Sequence, residues 1–249
     1  TNAQSRALEE KLMIHNIPYK IYGGQNFYQR KEIKDILAYL KTIDNGLDGQ
    51  AVKRIINVPK RGIGNTTIDR LQEYADFNDI TFWEALVNAK DIDTIKNAAL
   101  SKLEPFVDLI GRLRAKEEFM SLKELAEAVI EDTGYIESLS QNETVEEVEA
   151  RRENLDEFIN KVVSYEEGCK EAGEEPTLSG LLEEVALIAD IDNLDESEPH
   201  VMLMTLHSAK GLEFPIVYMT GMEDGLFPSY MTIVSDDSTE IEEERRLCY

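Results

Sequence analysis

Apolar residues recur at spacings of three and four along most of the chain, a pattern typical of amphipathic helices. The clearest case is Glu32–Ile43, where Ile33 and Leu40 share one face. Ser121 and Glu124 form a capping-box pattern at the start of another helix. Further helices are predicted over residues 3–15, 51–56, 68–75, 82–87, 103–113 and 155–163, and from about residue 177. Because no strand pattern interrupts residues 47–195, this stretch predicts a helical domain.

Two short segments, one on each side of the helical stretch, show the pattern of strands. Tyr19–Tyr22 ends at a pair of glycines, and the apolar run beginning at Val201 leads into a polar turn. A second apolar run follows Pro215, so this region predicts a strand, a functional loop and a strand in a buried sheet. The simplest architecture is a helical domain, residues 45–199, inserted into an α/β domain formed by residues 1–44 and 200–249.

The charge of the chain is strongly acidic but unevenly distributed. The formal net charge is −24, and residues 143–198 hold 19 acidic and 4 basic side chains. Residues 52–70, in contrast, hold five basic side chains and one acidic side chain. This balance excludes nucleic-acid binding by the whole surface, and we expect any contact with a polyanion to be confined to such basic islands.

Cysteine usage and the absence of targeting segments favour a cytoplasmic protein. Cys169 and Cys248 match no metal-ligand spacing and are expected to be reduced thiols. No signal peptide is visible, and no apolar run approaches the length of a membrane span. The chain begins at Thr1 and ends at Tyr249 inside a charged helical pattern, so we expect it to be part of a longer protein.

Four polar side chains follow the predicted strand at Val201. Thr205, His207, Lys210 and Glu213 supply a hydroxyl, an imidazole, an ammonium and a carboxylate within nine residues. Ligands of open α/β sheets lie outside the carboxyl ends of the strands, and this set suits phosphates and a sugar. On composition alone, a polar turn without a ligand is the more common explanation.

The segment Lys60–Thr67 combines positive charge with two glycines. Gly62 and Gly64 allow the backbone to approach a phosphate closely, and a helix starting near Thr66 would direct its free amides at an anion. Ile63 is expected to anchor the loop in the core. A Gly-x-Gly sequence is weak evidence by itself and usually marks only a turn.

Several stretches, in the same order along the chain, resemble superfamily 1 DNA helicases of the PcrA/UvrD type. Residues 201–217 and 221–228 resemble their motif V region, and residues 1–6 resemble their motif IV region. Residues 28–40 are similar to the helix that precedes the inserted domain of that family. Residues 55–64 are similar to its duplex-contacting loop, and residues 242–249 to the lead-in to motif VI. PcrA is the nearest type within the family, and UvrD and Rep are alternatives.

The resemblance implies a mainly α fold, with a large helical domain (2B) inserted into a partial RecA-like α/β domain of the P-loop NTPase type (2A). It implies a 3′–5′ DNA helicase or translocase of DNA repair or replication. The full-length enzyme would use ATP and Mg²⁺, neither of which this chain would hold firmly alone. The implied partners are single-stranded DNA, duplex DNA and proteins of repair or transcription, with no membrane.

The resemblance also assigns expected roles to individual residues. Glu213 would hydrogen-bond the ribose of ATP, with Lys210 and Gly211 beside it at the nucleotide. The residues expected to face single-stranded DNA are Thr205, His207, Asn2 and Arg6. The residues expected to bind duplex DNA are Lys60, Arg61, Gly62, Ile63, Gly64 and Thr66.

The sequence lacks the parts of a complete phosphoryl-transfer site. It contains no Gly-x-x-x-x-Gly-Lys-Ser/Thr phosphate loop. Asp156-Glu157 lies in a helical pattern with no strand before it, so we exclude it as a magnesium-binding pair. The chain alone is therefore predicted to be inactive, with no complete catalytic set and no metal site. A non-enzymatic helical interaction module and part of a helicase–nuclease subunit are the alternative functions.

Overall fold

The chain forms two compact units in the computed structural model, which describes residues 8–9, 11–12, 14–15, 17–21, 27–141, 143–191, 199–234 and 238–248. Residues 27–187 form the helical unit, and residues 1–26 with 188–249 form the strand unit. The units therefore divide at other positions than the predicted domains, which end at 44 and 199. The domain limits at residues 44 and 199 remain a prediction from the sequence.

The helical unit follows the predicted periodicity closely, and its described residues contain no strand. Short 3-10 helices lie at Phe27–Gln29 and Ala89–Asp91. The α-helices are α1 (Lys31–Asp44), α2 (Gly49–Ile55), α3 (Asn65–Asn78), α4 (Phe82–Val87), α5 (Asn97–Glu117), α6 (Leu122–Thr133), α7 (Tyr135–Leu139), α8 (Val145–Ala172) and α9 (Leu178–Ile191). The last four residues of α9 belong to the strand unit. The prediction of a mainly α protein is confirmed.

Local chemistry sets the ends of these helices. The predicted capping box is confirmed, because the Ser121 hydroxyl accepts the Glu124 N–H and the Glu124 carboxylate accepts the Ser121 N–H. Gly134 then ends α6 in the left-handed conformation. After α1, Gly46 adopts φ +68°, and a Cβ there would lie 2.8 Å from Arg114 and 2.9 Å from Trp83. Only glycine fits this turn.

Helix α1 lies at the centre of the helical unit and contacts α2, α5, α6 and α8. The predicted apolar face is buried, with Ile33, Ile36 and Leu40 at 0% exposure. Burying one such side chain stabilises the fold by roughly 1.5–3 kcal/mol. Lys31 and Lys41 are exposed and Lys34 is half-buried, so the lysines of α1 mark its solvent-facing side.

Polar side chains of α1 are buried as well. Glu32 and Asp35 are each 2% exposed, and Tyr39 is 0% exposed. They stand three and four residues apart, so they lie along one side of the helix. We call Glu32, Asp35 and Tyr39 the α1 polar stripe. The helical periodicity of the sequence alone does not predict that these positions are buried.

The strand unit contains a two-stranded parallel sheet among its described residues. Strand β1 (Tyr19–Ile21) pairs with β2 (Val201–Leu203), with Tyr19 opposite Val201. After β2, the described α-helices of this unit are α10 (Leu206–Ala209), α11 (Tyr230–Val234) and α12 (Ser238–Cys248). Of the helix predicted over residues 3–15, the described residues Leu8, Glu9, Lys11, Leu12 and Ile14 are helical.

The predicted strand after Pro215 is wrong. Residues 216–222 belong to no strand, and Ile216 and Tyr218 are 75% and 87% exposed. A strand forms only when a neighbouring strand accepts and donates its backbone hydrogen bonds, and no described strand pairs with this run. The expectation of a buried sheet also fails for β2, since Val201 is 38% exposed.

Candidate nucleic-acid interface

The predicted duplex-binding loop connects α2 to α3 in the helical unit. Lys60 is exposed, and none of the described residues gives its ammonium a carboxylate partner. Ile63, three residues later, is 5% exposed and anchors the loop in the core as expected. The loop thus presents a free cation at one end while its middle is fixed to the helical unit.

The two glycines of the loop have different conformations. Gly62 adopts φ +72°, which side chains disfavour, and its carbonyl oxygen accepts a 2.9 Å hydrogen bond from Lys102 Nζ. Gly64 precedes α3 with extended backbone, and an added Cβ there would meet no atom within 4 Å. The surface at Gly64 is therefore open to an approaching ligand.

Helix α3 begins at Asn65, close to the start that was expected near Thr66. Asn65 and Thr66 are exposed, and their N–H groups lie in the first turn, where no intrahelical acceptor exists. The start of α5 lies beside them, since Ala98, Ala99 and Lys102 line the same cavity of about 240 Å³ as Gly62, Ile63, Gly64 and Thr67. The start of α3, the start of α5 and one ammonium therefore share a single depression in the surface.

Arg61 points in the other direction. Its guanidinium Nη1 donates to four backbone carbonyl oxygens at 2.9–3.3 Å, and Nη2 donates to the Tyr39 hydroxyl at 2.6 Å. Burial raises the pKa of Tyr39 above its ordinary value, and the neighbouring Arg61 cation partly opposes that rise. The predicted phosphate-binding arginine thus directs these bonds into the protein.

Sequence reasoning missed the neighbours that shape this loop. Lys102 lies 40 residues from Gly62, and Tyr39 lies 22 residues from Arg61, so no local motif connects them. Asn57 was also missed, although its Oδ1 accepts the backbone N–H groups of Arg61 at 2.8 Å and Ile63 at 3.3 Å. An asparagine before a turn is a detectable signal for this bond.

The second candidate site follows the carboxyl end of β2, in the strand unit. The Thr205 hydroxyl accepts the Ser208 N–H at 3.1 Å and lies 2.9 Å from the Ser208 hydroxyl, so Thr205 caps the short helix α10. Lys210, Gly211 and Glu213 follow it and are exposed. The structure therefore brings these residues to one exposed turn, where Gly211 adopts φ +83°.

Three of the predicted site residues lie wholly or partly outside the described part of the chain. Asn2 and Arg6 lie outside the described residues. The backbone of His207 belongs to α10, while its side chain lies outside the described part.

Asp156 and Glu157 lie within α8, so their exclusion as a strand-end metal pair agrees with the structure. Among the described residues, no helix is both long enough and apolar enough to cross a membrane.

A carboxylate that sequence reasoning did not select holds the end of the strand unit together. Both oxygens of Glu244, on α12, accept the Ser229 N–H, at 3.2 and 3.0 Å. One of them also accepts the Thr232 hydroxyl at 2.9 Å. Glu244 therefore joins α12 to the start of α11, immediately after the stretch 221–228 that extends the motif at Thr205.

Comparison with known proteins gives one consistent result. The family model described as the UvrD-like helicase C-terminal domain matches residues 1–249. The ATP-dependent DNA helicase PcrA of Staphylococcus epidermidis (strain ATCC 35984) is 46% identical over 249 residues, which is 100% of this chain and 34% of that protein. PcrA of Staphylococcus aureus (strain Mu50) is 47% identical, over 100% of this chain and 33% of that protein. The chain thus spans about a third of the length of these relatives.

Proposed function

Because the chain belongs to the UvrD-like helicase C-terminal domain family, we propose that it is part of an ATP-dependent DNA helicase that moves 3′ to 5′ on single-stranded DNA. Residues 1–44 and 200–249 would belong to the RecA-like domain 2A, and residues 45–199 to the inserted domain 2B. The observation that carries the proposal is the family match along the entire chain, at 46–47% identity to PcrA helicases.

The exposed turn after β2 would serve the motor. Its Glu213 carboxylate can accept the hydroxyls of the ATP ribose, and Lys210 and Gly211 would lie beside the nucleotide. Thr205 and His207, with Asn2 and Arg6, would face single-stranded DNA, where hydroxyl, imidazole, amide and guanidinium groups can donate to phosphates. ATP with Mg²⁺ would supply the free energy of translocation through hydrolysis, and this turn would only hold the nucleotide.

The Lys60–Thr66 loop would bind duplex DNA without reading its sequence. Its exposed ammonium, open glycine and free helix amides all suit phosphate oxygens, and contacts to phosphates carry no sequence information. The depression that also receives Lys102 gives the contact a definite place on the helical unit. The strongly acidic remainder of the chain would keep DNA away from other faces.

The motor function is tested by comparing the chain with the complete gene product. We expect the complete gene product to hydrolyse ATP faster when single-stranded DNA is added, and to unwind a duplex with a 3′ tail. Residues 1–249 alone should show no such hydrolysis, because the sequence has no phosphate loop to hold the triphosphate. DNA-stimulated hydrolysis by purified 1–249 would contradict this assignment, and inactivity of both proteins would favour an interaction module.

The duplex-binding role is tested by Lys60→Ala in the complete gene product. Removing one phosphate contact should weaken duplex binding and reduce the slope of log affinity against log salt by about 0.9. Lys170→Ala is the matched control, because Lys170 is an exposed lysine near the end of the acidic helix α8. Equal slopes for Lys60→Ala and the unsubstituted protein would refute the role of the loop.

A further inference from the structure

Arg61 occupies the middle of the proposed duplex-binding loop, yet its guanidinium is turned away from the surface. Nη1 donates to the carbonyl oxygens of Ile55 at 2.9 Å, Val58 at 3.2 Å and Pro59 at 3.3 Å, and to that of Ile56 at 3.3 Å. The Ile55 carbonyl belongs to the last residue of α2, and the other three belong to the turn that follows it. A single side chain is therefore hydrogen-bonded to four residues of the backbone that leads into the loop.

The position of this guanidinium has a clear physical basis. The last carbonyl groups of a helix have no intrahelical partner, and the C-terminus of the helix attracts positive charge. The guanidinium carbon also lies 4.9 Å from the centre of the Phe106 ring, on α5, which is 0% exposed. The carbonyl oxygens need several donors in a fixed arrangement, and the Phe106 ring favours a planar cation. An arginine provides both, whereas a lysine does not.

Tyr39 of the α1 polar stripe completes the arrangement. Its hydroxyl accepts the 2.6 Å hydrogen bond from Arg61 Nη2 and donates a 2.6 Å hydrogen bond to the Val58 carbonyl oxygen. Asn57 Oδ1 meanwhile accepts the N–H groups of Arg61 and Ile63. The backbone from 57 to 63 is thus fixed from α1, from α5 and from within the loop.

We propose that Arg61 and Tyr39 are positioning residues that hold the loop in its binding conformation, and that the Arg61 guanidinium is not a phosphate ligand. This inference rests on the proposed binding of duplex DNA by the loop. A loop that is already ordered loses less conformational freedom when it binds. Releasing it should therefore weaken binding while leaving the number of phosphate contacts unchanged.

The first test compares duplex affinity and its salt dependence in the complete gene product, at a temperature where every variant is folded. Arg61→Lys keeps the charge but loses the fork of donors, and Tyr39→Phe loses only the hydroxyl. Each should weaken binding roughly three- to tenfold, the cost of ordering a released loop. Each should retain the salt slope of the unsubstituted protein, whereas Lys60→Ala lowers that slope by about 0.9.

The second test measures hydrogen exchange of the backbone amides, which reports loop order without any DNA. In Tyr39→Phe and Arg61→Lys, the amides of Arg61 and Ile63 should exchange faster, while those of the remote helix α8 keep their rates. Lys60→Ala is the matched control and should leave the exchange of this loop unchanged. A variant that merely lowered global stability would speed α8 as well and would bind DNA normally below its melting temperature.

Two results would overturn the inference. One is native duplex affinity for Arg61→Lys combined with a lower salt slope for Arg61→Ala, which would make Arg61 a phosphate ligand. The other is unchanged exchange at Arg61 and Ile63 in Tyr39→Phe. If the proposed function fails, the results are different. Lys60→Ala would then leave the duplex affinity and its salt slope unaltered. The hydrogen exchange of the loop amides would still report on the positioning role of Arg61 and Tyr39.

Discussion

At the scale of single residues, Asp35 shows how the helical unit compensates a buried negative charge with hydrogen-bond donors. Its carboxylate is 2% exposed and accepts hydrogen bonds from Arg54 Nε and the Tyr135 hydroxyl, both at 2.7 Å. Glu32, one turn earlier, accepts Arg151 Nη1 at 2.6 Å. Each buried oxygen of these carboxylates has a donor, so the cost of removing the charges from water is offset.

Tyr135 makes this arrangement sensitive to alkaline pH. Burial raises the pKa of the Tyr135 hydroxyl above the ordinary value of 10.0, and the negative charge of Asp35 raises it further. The folded chain therefore keeps a proton that the unfolded chain releases near pH 10. This contribution to stability is fully present below pH 10, and about 1.4 kcal/mol of it is lost for each pH unit above.

Tyr135→Phe is expected to change stability in a pH-dependent way. At pH 8 the variant should be less stable by about 1–3 kcal/mol, because Asp35 loses a buried donor. Between pH 10 and 11 it should lose less stability than the unsubstituted chain, since one of the groups that gives up its proton on unfolding is gone. Urea unfolding of both proteins from pH 8 to 11 measures this, and parallel curves would contradict the explanation.

At the scale of elements, backbone conformation at two glycines of α8 predicts opposite effects of the same substitution. Gly168 is inside the helix, and Gly173 ends it at φ +75°. An added Cβ would meet no atom within 4 Å at either position, so packing does not distinguish them. Only the conformation of the chain differs.

Gly168→Ala should stabilise the chain by roughly 0.5–1 kcal/mol, because alanine favours a helix interior. Gly173→Ala should destabilise it by roughly 1–2 kcal/mol, because a Cβ is disfavoured in the left-handed conformation. Midpoints of thermal unfolding for the two variants provide the comparison. A shift in the same direction for both would show that α8 does not end at Gly173 as described.

The elements also show what the sequence can predict. The helix at Phe82–Val87 has the predicted limits, because its apolar spacing and its local cap both lie in the sequence. The run after Pro215 has an apolar pattern too, but a strand depends on a partner that the pattern does not contain. In the candidate site, the anchoring role of Ile63 and the turn at the glycines could be predicted for the same reason, because both depend on residues close together in the sequence. The inward guanidinium of Arg61 depends on Tyr39 and Phe106, which are distant in sequence.

At the scale of the whole molecule, charge and exposure restrict where DNA can bind. The chain has a formal net charge of −24, and its acidic side chains are concentrated in residues 143–198. The Lys60–Thr66 loop, by contrast, combines an exposed lysine with exposed helix amides and the Lys102 ammonium beside them. The proposed duplex contact therefore requires this loop to face the duplex.

Cleavage of DNA from Gly64 tests that claim most directly. In a complete gene product without other cysteines, Gly64→Cys would carry an iron chelate that generates hydroxyl radicals, at a position where a Cβ meets no atom within 4 Å. The probe is a duplex with a 3′ single-stranded tail, and Lys170→Cys is the control. If the loop faces the duplex, the cuts should be confined to the duplex and absent from the control. Cuts confined to the single strand, or the same pattern from both positions, would contradict it.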